Sequence, residues 1–73
     1  MKTEFYIRGE LITLDALLKA TGLAESGGQA KELIAEGLVK VNGEVETRRG
    51  RKLRGGEVVE FEGHQIAVRS EAH

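Results

Sequence analysis

Arg48, Arg49, Arg51, Lys52 and Arg54 place five of the chain's eleven basic residues within seven positions, with no acid among them. Four of the five are arginines. A guanidinium is a planar fork that bonds phosphate through two N–H groups and stacks on flat rings, which an ammonium cannot do. The ordinary reading of a charge run is a solvated loop that keeps a protein soluble. The dominance of arginine and the absence of acids favour binding to a polyanion. If roughly three to five of these side chains meet phosphates, binding falls steeply with added salt.

Lys31 and Lys40 form a second rank of candidates. Lys31 follows Ala30 on the polar side of a helix, and Lys40 alternates with Val39 and Val41 and so points away from them. Judged alone, each is a solvent-facing lysine. Asn42-Gly43 is read as structural, because a tight hairpin turn needs positive backbone dihedrals there. Stacking platforms are scarce among three aromatic residues: Phe5 and Phe61 belong to apolar strand faces, leaving Tyr6 as the exposed ring. That argues against reading single strands by base stacking and for reading the shape and backbone of a folded nucleic acid.

Catalytic chemistry has little to stand on. His64 lies at a turn and His73 at the terminus, and neither has a spaced partner for metal or acid–base work. Ser26 is accounted for as a helix cap, and Glu44 and Glu46 alternate as carboxylates on a solvated strand face do. There is no phosphate-binding glycine loop and no dinucleotide fingerprint. No enzyme activity, no metal, no cofactor and no small-molecule substrate are expected.

These residues need elements to hold them. Glu4-Phe5-Tyr6-Ile7-Arg8 alternates as a short strand before Gly9. Thr13 is placed to cap a helix in which Leu14, Leu17, Leu18 and Thr21 share a face and Gly22 suits the end. Ser26 with Gln29 three residues on forms a capping box. Ala30, Leu33, Ile34 and Gly37 follow at helical spacing, and Gly37-Leu38 suits a Schellman ending. From Leu38 the period becomes strand-like. A two-residue loop at Asn42-Gly43 sets Val41 opposite Glu44, whereas a three-residue loop sets it opposite Val45, which matches the apolar faces better. Gly55-Gly56 and Glu62-Gly63 read as turns around Val59 and Phe61, with Ile66 and Val68 forming the last apolar face. The expected architecture is α+β: two helices packed on a small antiparallel sheet of short strands.

Seventy-three residues, 40% of them hydrophobic, suit one domain with a modest core, taken as residues 1–69, followed by a frayed tail at 70–73. Without cysteine there is no disulfide or thiolate site. No apolar run is long enough for a signal peptide or membrane span, so a cytoplasmic protein without membrane contact is expected. The net charge of −1 is unlike a typical basic nucleic-acid module. The local patch, not the sum, sets the field that an anion meets.

The run from Ser26 through Gln29-Ala30, Leu33-Ile34 and Gly37 to Val39-Lys40-Val41-Asn42-Gly43 resembles the core of the S4 RNA-binding domain. Leu14-Asp15-Ala16-Leu17-Leu18 resembles its preceding helix, and Leu53 to Val59 its returning strand, often Gly-Asp in the family where Gly56-Glu57 stands here. The resemblance spans roughly residues 11 to 62 and is strongest to the short, stand-alone members found in bacteria. It implies an S4-like, alpha-L fold and binding to structured RNA, ribosomal RNA or a ribosome precursor, through the loop Arg48 to Arg54 with Lys31 and Lys40. Many members carry an arginine directly after the serine, facing RNA. Here that residue is Gly27, so no guanidinium carries over. The Gly27-Gly28 pair would instead offer backbone N–H groups at the positive end of the helix, with Glu25 opposing an anion.

The implied mechanism is electrostatic docking on one continuous surface joining the helix start, the strand of Lys40 and the basic loop. The rival reading is a protein-interaction adaptor that kept the fold without binding RNA, supported by the acidic balance and the glycine at position 27. DNA binding is weaker, since no helix carries base-reading side chains. Reversing charge at Arg48 and Arg51 is expected to spare the fold, because neither reads as core.

Overall fold

The computed structural model describes residues 2–70. In chain order the elements are β1 (Lys2–Ile7), β2 (Ile12–Thr13), α1 (Leu14–Ala20), α2 (Gly27–Ala35), β3 (Val39–Val41), β4 (Glu44–Val45), β5 (Lys52–Leu53), β6 (Val58–Phe61) and β7 (His64–Ser70). Five strands form one sheet in the order β1-β7-β6-β3-β4, and β2 pairs with β5 in a separate two-stranded ribbon. Ser70 belongs to β7, and the expected frayed tail otherwise lies outside the described residues.

The core follows from the two periodicities. Leu14, Leu17 and Leu18 of α1 and Ala30 and Ile34 of α2 meet Val39, Val41, Val59, Phe61, Ile66 and Val68 from one face of the sheet. Alternate strand residues, Lys40 among them, therefore face away from the helices. The architecture is α+β as expected, with one difference. The sheet is mixed, because β1 runs parallel to β7, setting Phe5 beside Val68 and Ile7 beside Ser70. Alternation of apolar residues fixes the face a strand buries, not its neighbour or direction. The stretch from Leu53 to Val59 is likewise two strands split by a turn rather than one returning strand.

The hairpin from β3 to β4 resolves the open register. Lys40 stands opposite Val45 and Val41 opposite Glu44, so the loop has two residues, with φ of 53° at Asn42 and 83° at Gly43. Turn chemistry outweighs apolar matching, and Val45 is left 55% exposed. The Asn42 side chain also accepts from the Val58 N–H at 2.9 Å, tying the turn to β6. Asn42 is thereby structural, as its place in the turn suggested.

Candidate nucleic-acid interface

The basic segment is not a free loop. The helix α1 begins at Leu14, and its first amides need acceptors that the helix itself cannot supply. Thr13 stands at the cap position, yet its side chain makes no cap hydrogen bond. Instead the Leu14 N–H donates to the Arg51 carbonyl at 2.9 Å and the Asp15 N–H to the Arg49 carbonyl at 3.1 Å. Thr13 and Ile12 pair with Lys52 and Leu53 in the ribbon, and Leu53 is fully buried. The loop backbone thus caps the helix, and its alternate side chains are left outward.

The tip is a tight turn, in which the Arg51 N–H donates to the Arg48 carbonyl at 3.2 Å. Beneath it lies Glu46, which is only 6% exposed. Its carboxylate accepts from Arg48 Nε at 3.1 Å, Arg48 Nη2 at 3.2 Å, the Arg48 backbone N–H at 3.1 Å and Arg51 Nη1 at 2.9 Å. The two guanidiniums hold this carboxyl well below its ordinary 4.5, at about 2, against the opposing effect of burial. Glu46 in turn raises the pKa of Arg48. The reading of Glu44 and Glu46 as a solvated pair fails for Glu46. One hint was available: Glu46 stands just past β4, two residues before the first arginine.

Arg48 keeps 76% of its side chain exposed and Arg51 32%. Arg49, Lys52 and Arg54 are exposed or nearly so, and their side chains form no ion pair among the described residues. At the far end of the segment the Glu57 carboxylate accepts from the backbone N–H groups of Arg54 and Gly55, at 3.0 and 2.9 Å. The acid after the double glycine thus shapes the turn. Gly55 is required there: its φ is 117°, and a Cβ would lie 2.9 Å from that of Ser70.

On α2, Ser26 accepts from the Gln29 N–H at 3.1 Å, and Gln29 Oε1 accepts from the Glu25 N–H, a capping box displaced by one residue. The Gly27 and Gly28 N–H groups have no protein acceptor among the described residues, and a Cβ at Gly27 would meet nothing within 4 Å. Gly27 and Lys31 stand one turn apart on the same exposed side. The helix ends as expected, with the Gly37 N–H on the Ile34 carbonyl and the Leu38 N–H on that of Leu33, and φ of 78° at Gly37.

Arg48, Gly50, Arg51 and Lys52 line one shallow hollow. Lys40 does not join it. It lies on the sheet face turned from the helices, opposite Glu60 and Val45, and no hydrogen bond or ion pair among the described residues links it, Gly27, Gly28 or Lys31 to the loop. Lys40 thus stands on the sheet face away from the helices, while the loop backbone is tied to α1. Neither Arg48 nor Arg51 is in the core, as expected, but charge reversal at both would set three carboxylates around one buried site and is expected to cost stability. Tyr6 is exposed as expected, and Phe61 is buried. No helix among the described residues is long and apolar enough to cross a membrane, and no group of three His, Cys, Asp or Glu residues is placed to hold a metal.

A two-helix layer on a small mixed sheet, with a capped second helix leading through Gly37 into the Val-x-Val-Asn-Gly hairpin, defines the S4 class of small domains. The family model for the S4 domain matches residues 5–69, and this chain belongs to that family. Among relatives, it is 53% identical over 57 residues to YbcJ of Escherichia coli (strain K12), covering 78% of this chain and 81% of that one. It is 48% identical over 63 residues to the "Probable ribosome maturation protein RlbA" of Bacillus subtilis (strain 168), covering 86% and 89%. The solution structure of YbcJ from E. coli, described as revealing an alpha-L motif involved in RNA binding, superposes with a TM-score of 0.63. It is 44% identical and covers 93% of this chain and 85% of that one.

Proposed function

We propose that this protein is a non-catalytic RNA-binding module that docks on structured RNA, ribosomal RNA or a ribosome precursor, through the arginine-rich loop. The observation that carries the reading is the docking of that loop on α1: its carbonyls at Arg49 and Arg51 are tied to the helix, while Arg49, Lys52 and Arg54 stay exposed and form no ion pair among the described residues. A cationic surface on a fixed backbone suits phosphates at defined spacing, and arginine forks suit bidentate contacts. Gly27, Gly28 and Lys31 at the start of α2 offer two N–H groups without an acceptor among the described residues and one ammonium. Lys40, on the sheet face away from the helices, is left outside this reading. The RNA-binding motif described for the E. coli structure and the ribosome maturation in the name of the B. subtilis relative point to the same class of partner.

The test is fluorescence anisotropy of labelled ribosomal RNA fragments titrated with the protein, at low and then physiological salt, with excess tRNA as competitor. Salt-sensitive binding that survives tRNA is expected. No binding even at low salt overturns the reading and leaves the protein-interaction adaptor.

A further inference from the structure

We propose that Glu46 is a positioning residue, fixing Arg48 and Arg51 from below so that the hollow they form with Gly50 and Lys52 takes one phosphate group. This deepens the RNA reading and rests on it for the source of that phosphate.

Three observations converge. Glu46 is the one charged residue buried among the described residues, and its two oxygens accept every hydrogen bond within reach from the loop it supports. Burying a carboxylate is unfavourable unless it is paired, so its place under a solvent-facing turn is set by the two arginines. The pairing in turn removes rotamer freedom from two long side chains. An arginine held in place loses less entropy when it binds than a free one.

Arg48 spends Nε and Nη2 on Glu46, and Arg51 spends Nη1, so among the described residues Nη1 of Arg48 and the Nε and Nη2 of Arg51 remain for a ligand. Two guanidiniums and one carboxylate leave net positive charge at the hollow, to which Lys52 adds. An anion with several acceptor oxygens satisfies these donors; a single carbonyl does not.

Gly50 is the third observation. Its φ is not positive, and a Cβ there would meet nothing within 4 Å, unlike Gly55 where both backbone and space demand glycine. Neither the turn nor packing requires glycine at position 50. What its missing side chain does is keep the hollow between Arg48 and Lys52 open.

The test uses the full chain and inorganic phosphate as probe, followed by NMR of the Arg48 and Arg51 Nε–H and the Gly50 to Lys52 amides. Wild-type protein is expected to show saturable shifts confined to these groups. Glu46→Gln, folded at the measuring temperature by its amide spectrum, is expected to bind phosphate about tenfold more weakly, with the Arg48 Nε–H becoming mobile on the nanosecond scale. Gly50→Leu, which the open space accommodates, is expected to block phosphate while leaving both arginines fixed on Glu46. Unchanged phosphate affinity in either folded variant overturns the proposal, as does the absence of shifts at these groups in wild type. Titration with ribosomal RNA fragments separates the two readings. Phosphate bound in the hollow without RNA binding sinks the RNA assignment and keeps the site, whereas RNA binding without phosphate in the hollow sinks the site alone.

Discussion

A carboxylate gripped by two guanidiniums stays ionised at lower pH than a free one, and the difference becomes folding free energy. The Glu46 pKa falls from 4.5 to about 2 on folding. Its stabilisation is therefore fully present above 4.5 and is lost as pH falls toward 2. Glu46→Gln should cost about 1 kcal/mol near neutral pH, or roughly 4–8 °C in melting temperature for a chain of this size. Melts of both proteins between about pH 6 and 2.5 should show that gap closing with acid. A gap independent of pH would contradict the assignment. Glu62 gives a second residue-scale prediction. It holds a φ of 47° in the two-residue turn with Gly63, a conformation that favours asparagine or glycine. Glu62→Asn should raise stability by about 0.5 kcal/mol, read from the urea midpoint. The turn at Glu62-Gly63 was legible because glycine marks it. For Glu46 the sequence offered only its nearness to Arg48, since alternation along a strand cannot tell which of two acids turns in beneath the loop that follows.

At the scale of elements, α2 was the best-read part of the chain because everything that defines it is local. Ser26, Gln29 and Gly37 act on amides and carbonyls within a few residues, and the bonds form where the spacing puts them. Ser26→Ala should therefore cost about 1 kcal/mol, seen as a lower thermal midpoint with an unchanged fold by circular dichroism. A neutral result would mean that packing of Ala30 and Ile34 alone sets the helix start. What was not legible depends on distant partners. The first helix reads as capped by Thr13, yet the basic loop supplies the acceptors from more than thirty positions away along the chain. The parallel pairing of β1 with β7 joins the two ends of the domain, and nothing in either strand encodes its neighbour. The β3–β4 register shows the reverse case, where a local dipeptide overrode the apolar pattern.

For the whole molecule, a net charge of −1 coexists with a run of five basic residues in seven positions, and two of the acids nearest that run are engaged by it. Glu46 and Glu57 are spent on the loop's own structure, Glu46 on two guanidiniums and the Arg48 amide and Glu57 on two backbone amides. Lys40 stands directly opposite Glu60 in the sheet. The basic cluster was readable from the sequence as a candidate site. Which of its members are free and which are structural was not, and that division decides how the site is tested. The side chains to change are Arg49, Lys52 and Arg54, since Arg48 and Arg51 also hold the fold. The most direct measurement is the salt dependence of ribosomal RNA fragment binding by wild type and by Arg49→Glu/Lys52→Glu/Arg54→Glu, followed by anisotropy. The loop docking predicts a variant with near-native melting temperature, at least about tenfold weaker binding, and a salt slope shallower by roughly two to three. Wild-type affinity and slope in the folded variant would contradict the central claim that this loop is the RNA-binding surface.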